Sequence, residues 1–215
     1  MRFMDKSLIM FYFYVKITIY CHNQNQSLHM KKAVYLILIT FLSSIILSSC
    51  LTVEKKEYTF EFTGHNSGIL TIKYYNIMSS AEDGEDMSEA DFAELIKTYF
   101  VGDQLEQDYP LANEIEKKLY EEDGVLCAEV KITFNDLAGA GLYQHTDNGT
   151  YMFGIKSAFD GEEYVASNGE YGGEIMPVVF WQNNEMVLRL VTSVMQQDES
   201  TVSLLPQYKK WKEQE

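Results

Sequence analysis

Cysteine and proline are scarce, three of each in 215 residues. The cysteines, Cys21, Cys50 and Cys127, are too far apart in sequence for a clustered metal motif. Only two histidines, His65 and His145, follow residue 50, and neither stands at ligand spacing from another histidine or a cysteine. A zinc site therefore has almost no support in the sequence, and no metal is expected. Cations are outnumbered: 17 Lys and Arg against 32 Asp and Glu leave a net charge of −15. Such a surface repels phosphates, so no nucleic-acid partner is expected. No apolar run beyond residue 50 reaches the roughly 20 residues of a membrane-spanning helix. Gly-x-Ser-x-Gly, a phosphate-binding loop and His-Glu-x-x-His are all missing, so no cofactor and no enzyme class is indicated.

What the sequence does carry is Met30 to Cys50, MKKAVYLILITFLSSIILSSC. Lys31 and Lys32 make a short basic start, and Ala33 to Leu47 is an uncharged, mostly apolar run of signal-peptide length. The run closes on Leu47-Ser48-Ser49-Cys50. These residues resemble the lipobox of bacterial lipoproteins. That resemblance implies cleavage between Ser49 and Cys50, diacylation of the Cys50 sulphur with palmitate-like chains, and a membrane partner held through that anchor. Each buried methylene contributes about 0.8 kcal/mol, so two or three long chains hold a protein essentially permanently. Leu51 follows the cysteine where sorted lipoproteins that stay behind carry Asp, which by the same resemblance implies a cell-envelope address at the outer membrane. An uncleaved anchor with a chance cysteine is the alternative.

The expected organisation follows from this. Residues 1–29 read as a mis-set start or a leader, 30–49 as the signal peptide, 50–56 as a tether and 57–215 as one domain. The leader holds five cations and one acid, so its removal takes the charge from −15 to −19 over the remaining 166 residues. Cys127, then without any partner, lies in an apolar strand and reads as a buried, inert thiol.

Along the domain, residues 58–63 alternate apolar and polar and read as a strand. The Gly64–Gly68 turn cluster and a second strand over 69–78 complete a hairpin. The polar stretch 79–87 (SSAEDGEDM) lacks EF-hand spacing and reads as a solvated loop. Ser88 reads as the N-cap of a helix whose apolar stripe is Phe92, Leu95, Ile96, Tyr99 and Phe100, stopped by Gly102. Pro110 reads as opening a second helix, with Leu111, Ile115 and Leu119 inward, ended by Asp123-Gly124. Residues 126–134 alternate strictly and read as a strand. Residues 135–141 read as a turn or broken helix. The Gly-containing turns at 148–149, 160–161 and 168–169 then punctuate short strands over 142–145, 151–156, 163–166, 175–181 and 186–195. Residues 204–212 read as a short helix. The class is α+β: an antiparallel sheet with two helices after an N-terminal hairpin, a C-terminal β-meander and a short C-terminal helix.

Residues 57–140 also resemble the LppM-type lipoprotein domain. The likeness rests on the lead hairpin and on Gly124 to Leu137 (GVLCAEVKITFNDL), with its Thr-Phe-x-Asp-Leu strand exit. It implies an envelope lipoprotein of binding or structural type. For a ligand site the sequence offers Tyr164, Tyr171, Gly172, Gly173 and Trp181, an aromatic surface beside a glycine pair that permits close approach; a bulge before a buried strand is the alternative reading. The expected function is a non-enzymatic, lipid-anchored envelope protein that binds an unknown envelope protein or small ligand. The alternative is an envelope hydrolase acting on glycan or peptide through carboxylates that no motif identifies.

Overall fold

A computed structural model describes residues 51–80, 86–155, 161–194 and 200–214. Residues 1–50, with the signal, Ser49 and Cys50, lie outside the described residues, as do most of the acidic loop (81–85), Lys156, Asp160 and Met195.

Strands β1 (Leu51–Phe62) and β2 (Gly68–Ser80) pair antiparallel along their whole length, from Leu51 opposite Ser79 to Phe62 opposite Gly68. Residues 51–56 are thus the first half of β1 and not a tether: Leu51 and Val53 are apolar and find a partner strand to pair with. β3 (Glu114–Glu122), β4 (Val125–Phe134), β7 (Glu163–Ser167) and β10 (Val187–Ser193) extend the sheet in the order β3-β4-β2-β1-β10-β7. A short β11 (Thr201–Ser203) pairs with the far end of β2.

One face of this sheet is polar, carrying pairs such as Lys55–Glu57 at 2.8 Å and Lys73–Glu122 at 2.6 Å. The other is apolar and is covered in two parts. Over the half holding Phe60, Phe62, Ile132 and Leu188 lies a second sheet of four strands, β5 (Tyr143–Gln144), β6 (Tyr151–Gly154), β9 (Val178–Trp181) and β8 (Glu170–Tyr171). Tyr151 stacks on Phe62 with ring centroids 4.7 Å apart, and Trp181 tilts onto Phe60 at 6.2 Å. Over the half holding Val53, Ile77, Leu119 and Leu126 lie α1 (Ser88–Glu94), its continuation as a π-helical segment (Leu95–Phe100) and the C-terminal α3 (Leu205–Lys212). A short α2 (Gln104–Asp108) follows the π segment.

The inward face changes parity midway along β1 and β2. Tyr58, Phe60 and Phe62 point inward at even positions, whereas Val53 does so at an odd one. Asn76, at φ +56°, absorbs the switch on β2, and its Nδ2 donates to Glu54 Oε2 at 2.9 Å. Asparagine is among the few non-glycine residues that accept this backbone region.

The helix expected after Pro110 is a strand. Leu111, Ile115 and Leu119 recur every four residues, a spacing that serves a strand face as well as a helix face. Leu111 is 62 % exposed, and Ile115 and Leu119 pair opposite Ile132 and Ala128. Asp123 (φ +51°) and Gly124 (φ +79°) are not a helix stop but the two-residue turn joining β3 to β4. The second helix is instead the shorter α2, just before the proline. Ser88 is the first helical residue and not the cap. Asp86 Oδ1 accepts its N–H at 2.9 Å, which holds the Asp86 carboxyl below its ordinary range. The strand expected over 175–181 begins only at Val178, because residues 174–176 form a turn. Three other expected elements keep their place. The 126–134 strand is β4, the 137–140 segment is a 3₁₀ turn capped by Asp136, and the C-terminal helix is α3. The α+β class with antiparallel sheets stands.

Candidate functional site

Between the two coverings of the large sheet lies a cavity of about 590 Å³. That volume falls within the roughly 300–1,000 Å³ of small-molecule sites. Because its walls come from both packing clusters, it has two chemically different ends.

The polar end is built on β1, β2 and the turn before β7. Lys56 continues the inward row of Tyr58, Phe60 and Phe62, so its side chain enters the interior. There it meets Glu162, which is only 3 % exposed, in a close ion pair. Tyr58 Oη donates to Glu162 at 3.1 Å, and Thr192 Oγ1 donates to Oε2 at 3.0 Å. A buried carboxylate is costly unless paired and hydrogen-bonded, and these three partners satisfy it. Tyr74 and Tyr109 complete this wall. The phenols of Tyr58, Tyr74 and Tyr109 are all pushed far above their ordinary range, first by burial and then by neighbouring negative or phenolic groups, Glu162 among them. They stay neutral at any physiological pH; Tyr58 donates its hydroxyl to Glu162, and Tyr74 and Tyr109 present uncharged phenols to the cavity.

The apolar end is aliphatic: Leu51, Val53, Ile77, Leu95, Leu119 and Val194. Its roof is the π segment, in which Val101 N–H reaches back five residues to the Ile96 carbonyl at 2.8 Å. The widened turn brings Leu95, Tyr99 and Phe100 together onto the cavity, and such segments occur often at functional sites. Lys117, on the neighbouring edge strand, donates to the Gly102 carbonyl at 2.7 Å and to Glu106 at 2.8 Å, pinning the end of that roof.

The residues singled out in the sequence lie elsewhere. Tyr164 and Tyr171 do come together, stacked at 4.1 Å with planes 3° apart, half-buried on the core. Trp181 does not join them at a surface. It is 2 % exposed, and its Nε1 donates to Asn168 Oδ1 at 2.8 Å. Alternation along β9 points Val179 and Trp181 inward, so the indole is core. Gly172 and Gly173 shape a turn: a Cβ on Gly172 would stand 2.7 Å from the Met176 carbonyl oxygen, and Gly173 takes φ +90°. None of these five lines the cavity. Cys127 is fully buried, and burial raises its thiol pKa. His65 and His145 are exposed turn residues. Among the described residues no three His, Cys, Asp or Glu converge as metal ligands, and no helix is long and apolar enough to cross a membrane.

Sequence reading missed Lys56 and Glu162. One signal for Lys56 was present: the period of two that marks Tyr58, Phe60 and Phe62 as inward extends back to it. A lysine on an inward row calls for a buried acid. Which of the many acids answers it is a matter of topology. Comparison with known families, with curated proteins and with solved structures finds no match for this chain.

Proposed function

We propose that this chain is a lipid-anchored protein of the bacterial cell envelope, acylated at Cys50, that binds a small molecule in the cavity and performs no chemistry on it. The ligand has an apolar body and a polar end. The polar end meets the tyrosine hydroxyls and the Lys56–Glu162 pair, and the apolar body lies along the aliphatic wall. The observation that carries this reading is the two-ended cavity of about 590 Å³, in which the buried Glu162 carboxylate is already engaged by Lys56, Tyr58 and Thr192. A carboxylate engaged by an ammonium and two hydroxyls suits fixed recognition better than proton transfer, which places the hydrolase alternative second. The anchor rests on the lipobox Leu47-Ser48-Ser49-Cys50, and with it the outer-membrane address.

Native mass spectrometry of the full protein purified from membranes of the producing cells tests both parts. The expected species is a 166-residue chain carrying acyl groups and a non-covalent small molecule, with the acylated mass lost in Cys50→Ala. An unprocessed mass in the wild type overturns the anchor. A chain that never retains a small molecule, yet hydrolyses envelope glycan or peptide, overturns the binding role.

A further inference from the structure

We propose that the aliphatic end of the cavity is an acyl-chain site, and that its resident is one of the fatty chains carried by this protein's own Cys50. The inference rests on the acylation proposed above and adds to it where the chain goes.

Three observations lead there. The cavity wall begins with Leu51, Thr52 and Val53, the residues directly after Cys50. There is no slack between anchor and wall, because Leu51 is already paired opposite Ser79 in the large sheet. Cys50 is the adjacent residue in the sequence, and consecutive Cα atoms of a chain are at most about 3.8 Å apart. Finally, the end nearest that point is the aliphatic one: Leu51 packs with the cluster of Val53, Ile77, Leu95 and Leu119, while Lys56, the partner of Glu162, stands further along β1.

The chemistry matches. An apolar wall with nothing against it forfeits its dispersion contacts, and protein interiors avoid such voids. A hydrocarbon chain fills the space without bringing a polar group that would then need a partner. Attachment to the neighbouring residue makes filling intramolecular, with an effective concentration that a free lipid lacks. The second consequence is regulatory. Ligand at the polar end and acyl chain at the apolar end share one cavity, so a ligand whose apolar body fills the space releases the chain to the bilayer. By linkage, withdrawal of the chain raises ligand affinity.

Feeding the producing cells a palmitate analogue bearing a diazirine and an alkyne, followed by irradiation and peptide mapping, reads this directly. The expected result is label on Cys50 with intrachain adducts on the peptides carrying Leu95, Leu119 or Val194. Leu119→Trp and Val194→Trp fill the cavity from opposite sides; each should abolish the intrachain adduct while Cys50 stays labelled. Label on Cys50 with adducts to bilayer lipid alone overturns the inference and leaves the anchor standing. Intrachain adducts that persist in both tryptophan variants also overturn it. No label on Cys50 overturns the anchor itself.

Discussion

At the scale of single residues, the pair Lys56–Glu162 governs the interior. Neither group could be buried alone, and each is there because strand alternation and chain topology deliver the other. Glu162→Ala leaves an unpaired ammonium at the cavity and strands the hydroxyls of Tyr58 and Thr192. We expect a loss of about 3 kcal/mol, from urea denaturation, typical of breaking a largely buried pair. Replacing both partners, Lys56→Met with Glu162→Leu, should recover most of that loss, since a well-packed apolar pair of similar volume is often as stable as a buried ionic one. The tyrosines make a second prediction. Their folded pKa values lie above the unfolded value of about 10, so the native state favours the protonated phenol. The stability this contributes is complete below pH 10 and is lost as pH rises beyond it. Alkaline titration followed by phenolate absorbance should show Tyr58, Tyr74 and Tyr109 ionising only together with unfolding. Normal ionisation of all tyrosines in the folded protein would contradict the buried cluster.

At the scale of elements, the β3–β4 turn is the cleanest case for a test. Gly124 stands at φ +79° with open space where a Cβ would go, so a substitution there probes backbone strain alone. Gly124→Val should cost about 1–2 kcal/mol, and Gly124→Asn much less, because a β-branched residue resists the left-handed region that asparagine accepts. The same turn explains why a helix was expected over 110–122. Apolar residues spaced by four fit both periods, and Pro110 pointed to a helix start, whereas Asp-Gly between two charged, alternating segments is a hairpin signal. β4 was legible because its alternation is strict and unbroken over nine residues. Residues 51–56 were not, because Lys55 and Lys56 among glutamates look solvated until the strands that pair with them are known.

At the scale of the whole molecule, one sheet is covered twice, by a small sheet and by helices, and the cavity is the seam between the coverings. Phe60 is fully buried on the large sheet and touches both Phe153 and Trp181. Phe60→Ala should therefore loosen the small sheet at a cost of about 3–5 kcal/mol, the range for removing a buried aromatic side chain. On the proposed anchor, the lack of a tether has its own consequence. Proteases applied to intact membranes should release no soluble domain from the wild type. Inserting a Gly/Ser segment of about ten residues after Cys50 should permit release, because such a linker behaves as an exposed flexible coil. Ready release from the wild type would mean that β1 does not hold Leu51.

The division between sequence and tertiary structure is a division between local and non-local physics. Composition, the lipobox, the alternation of β4 and the stripe of α1 are properties of neighbouring residues, so charge, the expected address, the α+β class and most strands could be read from them. Trp181 as core, Lys56 as interior, the choice of Glu162 among 32 acids and the cavity itself depend on which strands become neighbours across more than a hundred residues. Only the folded chain sets that, because burial is decided by what packs on a face and not by the face alone.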